Sequence, residues 1–284
     1  MRYATLRLAD GTRAARLAGD VWVLLGATDV GDLLRGGSSE PTGETVASCN
    51  ADFAPVVPSP RKIVCIGLNY ARHVRETGRD LPSHPTVFSK YDDALVGAHD
   101  PIVLPAEAVE VDWEAELAVV IGRGGRRIDP AVALDHVAGY TVLNDVSMRD
   151  WQRRTTQWLA GKTFDRTTPV GPVMVTRDDL PTACEGLRIS CAVDGVEMQR
   201  DVIGDFIFDI PTVIAYISTF TELRPGDLIA TGTPDGVGMG RSPQVYLRAG
   251  QRLVTTIEGI GSLTNDLVEH IEPRGQTPVA RTTP

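Results

Sequence analysis

Apolar and polar positions alternate in short blocks from the first residues. Arg2 to Leu8 places Tyr3, Thr5 and Arg7 on one face and Ala4, Leu6 and Leu8 on the other, the period of a half-buried strand. Asp10-Gly11 is a hairpin signal, and Ala18-Gly19-Asp20 gives a second turn before Val21-Trp22-Val23-Leu24-Leu25. Asp29 to Leu34 predicts one short helix. From Gly36 to Glu44 the chain is rich in Gly, Ser, Pro and Glu, and Pro55, Pro58 and Pro60 follow. The pattern predicts a small β-rich domain over 1–59, a larger domain over 60–272 and a polar, flexible tail over 273–284.

The larger domain opens on Lys62-Ile63-Val64-Cys65-Ile66-Gly67, a buried strand. Asn69 to Arg79 reads as a helix in which His73 and Glu76 lie three apart, on one face and within hydrogen-bonding reach. Leu81 to Pro85 is a loop. Val87 to Lys90 is a strand whose terminal Lys90 faces either a site or solvent, which the pattern does not decide. The central stretch is Val111-Asp112-Trp113-Glu114-Ala115-Glu116 followed by the apolar run Leu117 to Ile121. Read as one strand, it projects Glu114 and Glu116 from the same face. A second apolar run, Gly139 to Asn144, ends on Asp145. Adjacent buried carboxylates repel and are costly to desolvate, so something positive belongs between them. Three carboxylates from two strands make an all-oxygen site suited to Mg²⁺ or Mn²⁺, although a Glu-x-Glu pair alone is also common on solvent-facing strand edges.

Gly122-Arg123-Gly124-Gly125-Arg126 lacks the ending of a phosphate loop and reads as a tight turn. Asp129 to His136 predicts a short helix with Pro130 in its first turn and His136 in a structural role. Ser147-Met148-Arg149-Asp150 resembles a capping box opening a helix that ends near Gly161. Its aromatic stripe reads as packing, with Arg149 and Gln152 three apart on another face. Asp194-Gly195 turns a hairpin. Ile210 to Phe220 is an amphipathic helix. Leu228 to Thr231 is a strand running into Gly232-Thr233-Pro234-Asp235-Gly236-Val237-Gly238, a turn whose backbone N–H groups can approach an anion. Leu253 to Ile257 reads as the last strand.

Composition adds exclusions. The 284 residues carry a formal charge of −9, and 42% are hydrophobic. An acidic chain argues against nucleic acid and anionic membranes as partners. Cys49, Cys65, Cys184 and Cys191 show no framework spacing, and Arg2, Arg7, Asp10, Arg13, Arg16 and Asp20 leave no apolar signal core. No run approaches the length of a membrane span. A reducing cytoplasm is the expected compartment.

From about Lys62 to about Glu272 the sequence resembles the fumarylacetoacetate hydrolase superfamily. The resemblance is carried by IVCIGLNYARHVRE, EAELAVVIG, GYTVLNDVSMRDWQ, the GKTFD around Lys162, and TGTPDGVG, in that order and spacing. It implies an α+β, mainly β architecture, a mixed β-roll with a small β-rich N-terminal domain, and a homodimer. It implies that Glu114, Glu116 and Asp145 bind the divalent cation. It also implies that His73 and Glu76, on a lid segment, form a water-activating dyad, with Lys162 stabilising an oxyanion. Thr233 would contact a substrate carboxylate, with Arg149 and Gln152 beside the substrate. The chemistry expected is metal-assisted enolate formation from a small 2-keto acid. The first reading is hydrolysis of the C–C bond of a fumarylpyruvate-like acylpyruvate. The alternative is oxaloacetate decarboxylation, or isomerisation or decarboxylation of an unsaturated 2-keto acid. A catalytically silent metal-binding relative is a third, and loss of a ligand, the dyad or the lysine would favour it.

Overall fold

Turn chemistry shapes the first fifth of the chain. The computed structural model describes residues 1–76, 78 and 80–269, so the tail expected over 273–284 lies outside the described residues. Strands β1 (Arg2–Leu8), β2 (Gly11–Ala18) and β3 (Val21–Leu25) form the antiparallel meander, with Gly11 at φ 133° and Gly19 at φ 64° making the two turns. Asp29 caps helix α1 (Val30–Leu34) by accepting from the Asp32 N–H at 2.8 Å. Strand β4 (Pro41–Ala47) then pairs with β3, where the Gly/Ser/Pro/Glu-rich stretch predicted only a loop. Its side chains are almost all exposed, so no hydrophobic alternation marks it.

The next strands are β5 (Ile63–Gly67), β6 (Thr86–Lys90), β7 (Leu95–Val96), β8 (Ile102–Leu104), β9 (Val111–Asp112) and β10 (Ala115–Ile121), with helix α2 (Ala71–Glu76) between β5 and β6. After them come β11 (Val137–Asn144), β12 (Ser147–Met148), helices α3 (Arg149–Gln152) and α4 (Leu159–Lys162), and β13 (Thr168–Thr176). The chain closes with β14 (Arg188–Val193), β15 (Val196–Val202), helix α5 (Ile210–Phe220), β16 (Leu228–Ala230), β17 (Arg252–Ile257) and β18 (Gly261–Glu269). A large mixed sheet runs β4-β3-β2-β1-β13-β11-β10-β16-β5-β6, with β7 alongside β13, and a second runs β15-β14-β17-β18-β8. Because β1 pairs with β13, the large sheet crosses residue 59, and the boundary there is a proposal about folding units. The architecture is α+β and mainly β.

Strand β10 lies inside the large sheet with both faces covered. Ala115, Leu117, Val119 and Ile121 share a core with Ile189, Cys191, Leu253 and Leu263 of the second sheet. Ala118 and Val120 face the opposite core, with Val57, Ile63, Cys65, Leu143 and Leu228. Each buried Val, Leu or Ile among them stabilises the fold by about 1.5–3 kcal/mol relative to exposure. Central placement explains why the run reads as continuously apolar.

Two further expectations fail. No continuous helix spans 147–161. Ser147 and Met148 form β12 against β9, and the Ser147 hydroxyl donates to the Asp145 carbonyl at 2.7 Å instead of capping a helix. Strand pairing takes the residues that local pattern assigned to a cap. Nor is β17 the last strand. β18 pairs with both β17 and β8, and its Gly261, Ser262, Thr264 and Asn265 dilute the apolar signal.

Candidate active site

The three expected carboxylates converge. Even-numbered residues of β10 face the core that contains Leu143 of β11, and Glu116 pairs with Leu143 in register. Glu116 and Asp145 therefore project toward the same side. Glu114 lies just before β10, where Trp113 and Glu114 separate it from β9. Its N–H donates to Asn144 Oδ1 at 2.9 Å, and the Asp145 N–H donates to its carbonyl at 2.9 Å. These bonds stitch the two strand ends together. One carboxylate oxygen from each of Glu114, Glu116 and Asp145 lies within 4.8 Å of the others, and all three residues are buried.

Three buried cations answer them. Lys162 Nζ donates to Glu114 Oε2 at 2.6 Å and to Asp145 Oδ2 at 2.9 Å. Lys90 Nζ donates to Asp145 Oδ1 at 2.5 Å. Arg149 lies 2.7 Å from Glu114 Oε1, 2.8 Å from Asp112 Oδ2 and 2.9 Å from Gln152 Oε1. Burial pushes the Glu114 carboxyl up, but Lys162 and Arg149 outweigh it and hold the group at about 2. Burial lowers the Lys162 ammonium, yet Asp145 and Glu114 more than offset this and raise it.

Glu116 behaves oppositely. Burial first, then repulsion from Asp145 and Glu114, pushes its carboxyl well above the usual range, against the opposing pull of Lys162 and the Gly232 N–H. Four buried acids, Asp112, Glu114, Glu116 and Asp145, face three buried cations, Lys90, Arg149 and Lys162. The set is one positive charge short, and the shortfall falls on Glu116. An all-carboxylate donor set with a negative excess fits a hard divalent cation.

A cavity of about 500 Å³ opens over this floor. His73, Glu114, Glu116, Arg149, Gln152, Lys162 and Thr233 line it, with Phe88 and Trp158 as an aromatic wall. His73, from α2, has Nδ1 3.3 Å from Glu76 Oε2, so the expected pair forms on one helical turn. Glu76 stands behind His73 and also accepts from the Gly236 N–H at 3.0 Å. His136 lies elsewhere, hydrogen-bonded to the Arg123 carbonyl at 2.9 Å, as a structural residue.

The glycine-rich loop works differently from the expectation of an anion-binding turn. Its N–H groups engage this chain's own acids. Gly232 donates to Glu116 at 2.8 Å, Gly236 to Glu76, and Gly238 to Asp112 at 2.6 Å. Gly232 and Gly236 have φ of 98° and 95°, which the turn requires of glycine. A Cβ at Gly238 would lie 1.9 Å from the Val245 carbonyl, so close approach excludes any side chain there.

Two contributors, Asp112 and Gln199, escape sequence reasoning, and Lys90, whose facing the pattern does not decide, makes a third. Lys90 is 3% exposed and donates to Asp145, one of the three converging carboxylates. Asp112 accepts from Trp113, Gly238 and Met239 N–H groups and from Arg149, tying loop to site. Gln199 comes from the second sheet and bonds to Thr233 Oγ1 at 2.9 Å. Lys90 and Asp112 each end a short strand near the triad, which is the one local signal; Gln199 had none.

Residues 62–268 match the fumarylacetoacetate (FAA) hydrolase C-terminal family. Oxaloacetate tautomerase FAHD2A, mitochondrial, of Bos taurus is 47% identical over 218 residues, covering 76% of this chain and 69% of the relative. The human protein of that name is 44% identical over 218 residues, with the same coverage. Among solved structures, fumarylacetoacetate hydrolase from psychrophilic Exiguobacterium antarcticum superposes with a TM-score of 0.86 at 30% identity, covering 95% of this chain and 100% of that one. The 5-carboxymethyl-2-hydroxymuconate delta-isomerase of Mycobacterium smegmatis gives 0.82 at 33% identity, with the same coverage. The mitochondrial names of these curated relatives overturn the expected cytoplasmic compartment. Cysteines without framework spacing do not single out the cytoplasm. Among the described residues, no helix is long and apolar enough to cross a membrane.

Proposed function

The chain belongs to the fumarylacetoacetate hydrolase family, and from that premise we propose that it is a divalent-metal-dependent enzyme moving a proton between the keto and enol forms of an oxaloacetate-like 2-keto acid. The observation that carries the reading is the Lys162 ammonium, clamped between Glu114 and Asp145 on the floor of a cavity that His73 also lines. Glu114, Glu116 and Asp145 would hold Mg²⁺ or Mn²⁺, which supplies Lewis acidity at the keto oxygen.

The residues then divide the proton transfer. His73 takes a proton from C3, and Glu76 orients the imidazole and favours its charged form. The electron pair moves into the C2–C3 bond, and negative charge develops on the keto oxygen. Lys162, kept protonated by its two acids, places a fixed positive charge beside it. A proton from solvent on that oxygen completes the enol while the His73 imidazolium gives its own proton back to solvent, and the reverse sequence restores the ketone. Thr233, which lines the cavity, would donate to the substrate carboxylate, with Arg149 and Gln152 lining it as well.

Acylpyruvate hydrolysis, the first reading of the sequence, shares the enolate but adds water attack on a distal carbonyl. The relatives' names support the oxaloacetate branch instead, which the sequence carried as its alternative. Side-by-side assays with Mg²⁺ or Mn²⁺ test this: enol-to-keto conversion of oxaloacetate by ultraviolet absorbance, oxaloacetate decarboxylation, and acylpyruvate hydrolysis. The proposal expects tautomerisation to dominate. Efficient acylpyruvate cleavage without tautomerisation would overturn it.

A further inference from the structure

Gln199 reaches from β15 of the second sheet to the loop that closes the cavity, and it is 1% exposed. The two ends of its amide meet neighbours of opposite character. Oε1 lies 3.0 Å from the backbone nitrogen of Ala115, between Glu114 and Glu116. That N–H can only donate. Nε2 lies 2.9 Å from the Pro234 carbonyl, which can only accept. Together they fix which end of the amide is oxygen and which is nitrogen, because the flipped orientation would set donor against donor and acceptor against acceptor.

The consequence falls on Thr233. With Nε2 so oriented, it donates to Thr233 Oγ1 at 2.9 Å. A hydroxyl that accepts along that direction keeps its own proton for another, and among the described residues Thr233 Oγ1 donates to none. Thr233 lines the cavity. The N–H groups of Gly232, Gly236 and Gly238 are already engaged by Glu116, Glu76 and Asp112.

We infer that Gln199 is a positioning residue that holds the Thr233 hydroxyl as a fixed donor into the cavity, making that end of the site selective for an anionic oxygen such as a substrate carboxylate. This rests on the reading above that a 2-keto acid presents its carboxylate to Thr233. Gln199 touches neither substrate nor metal. Its influence should appear in binding and not in the proton-transfer step.

Gln199→Glu is the informative change. One oxygen of the new carboxylate still accepts from Ala115, while the other, which must turn away from the Pro234 carbonyl because it can no longer donate to it, accepts from Thr233 and draws its proton out of the cavity. Losing a hydrogen bond to a charged group weakens binding about 10- to 100-fold. The expected result is that Gln199→Glu raises KM for oxaloacetate, and the Kd of oxalate by calorimetry on the Mg²⁺-loaded protein, by about as much as Thr233→Val. The kcat should be nearly unchanged, and the double variant should be no worse than Thr233→Val alone. If Thr233→Val weakens binding and Gln199→Glu does not, the positioning role is wrong while the reading of Thr233 stands. If Thr233→Val leaves KM and Kd unchanged, that reading fails and the inference with it. Additive losses in the double variant would assign Gln199 a general structural role and overturn the proposal. Should Gln199→Glu not fold, Gln199→Met keeps the shape but leaves the Thr233 hydroxyl free to rotate, so KM and Kd should rise by a smaller factor at unchanged kcat, and no rise in either would overturn the positioning role.

Discussion

Lys162 Nζ lies 2.6 Å from Glu114 Oε2, so a fixed cation already sits on one of the carboxylates that a divalent metal would bind. Lys162 also reaches Asp145, and both acids are buried. The lysine therefore stabilises the site without metal and repels an incoming cation. Lys162→Met should destabilise the metal-free protein by about 3–5 kcal/mol, the usual result of stripping one partner from a buried pair. Activity should fall about 10²- to 10³-fold through loss of a charge aimed at the developing oxyanion. Thermal stabilisation by Mn²⁺ should grow, because one competing positive charge is gone. A smaller Mn²⁺-induced Tm shift in the variant would contradict this.

Glu114 makes the same arrangement visible in acid. Burial opposes its ionisation, but Lys162 and Arg149 bring it from 4.5 down to about 2. A depressed carboxyl stabilises the fold fully above its unfolded value and loses that contribution as pH falls from 4.5 toward 2. Lys162→Met removes the larger of the two opposing cations, so its acid unfolding midpoint, followed by circular dichroism, should move to higher pH. An unchanged midpoint would show that Lys162 does not hold Glu114 ionised.

Glu116 has the opposite sign. Burial, Asp145 and Glu114 raise its carboxyl, so its ionisation costs the fold: stability is full below 4.5 and declines as pH rises toward the raised value. At neutral pH Glu116→Gln should therefore be at least as stable as the wild type in chelator, while losing most of its stabilisation by Mn²⁺. Thermal melts with and without the metal check both halves. A variant clearly less stable than wild type in chelator would mean that Glu116 is satisfied without a cation.

How much of this the sequence disclosed follows from what local pattern can carry. The triad was readable because the apolar run of β10 begins at acids and that of β11 ends at one, and the period of two puts Glu116 and Asp145 on one side whatever the remaining topology. The His73–Glu76 pair was readable from helical spacing. Lys90 was not: whether a strand's last residue points inward depends on what covers it, and β6 is placed by its pairing with β5. Gln199 was invisible because it reaches the site through a sheet that is remote in sequence. Ser147 misled, since its cap-like pattern is overridden by pairing with Asp112. β4 and β18 escaped for lack of an apolar alternation.

His73 separates proton transfer from binding. Removing a general base typically costs about 10²–10⁴-fold, so His73→Ala should lower kcat for oxaloacetate tautomerisation by that factor while KM moves little. Glu76→Gln should give a milder loss, since it weakens orientation of the imidazole at Nδ1 without removing the ring. Steady-state kinetics on both variants at saturating Mg²⁺ decide this. A His73→Ala defect confined to KM would place the residue in substrate binding.

Enolisation of a 2-keto acid here should depend on a divalent cation held by Glu114, Glu116 and Asp145. The most direct test of this dependence is the enol-to-keto conversion of oxaloacetate by protein stripped with chelator, before and after addition of Mg²⁺ or Mn²⁺, alongside Asp145→Asn treated identically. The stripped protein should show background rates, the wild type should recover fully on metal addition, and Asp145→Asn should not recover. Undiminished tautomerisation in the stripped wild-type protein would contradict that dependence.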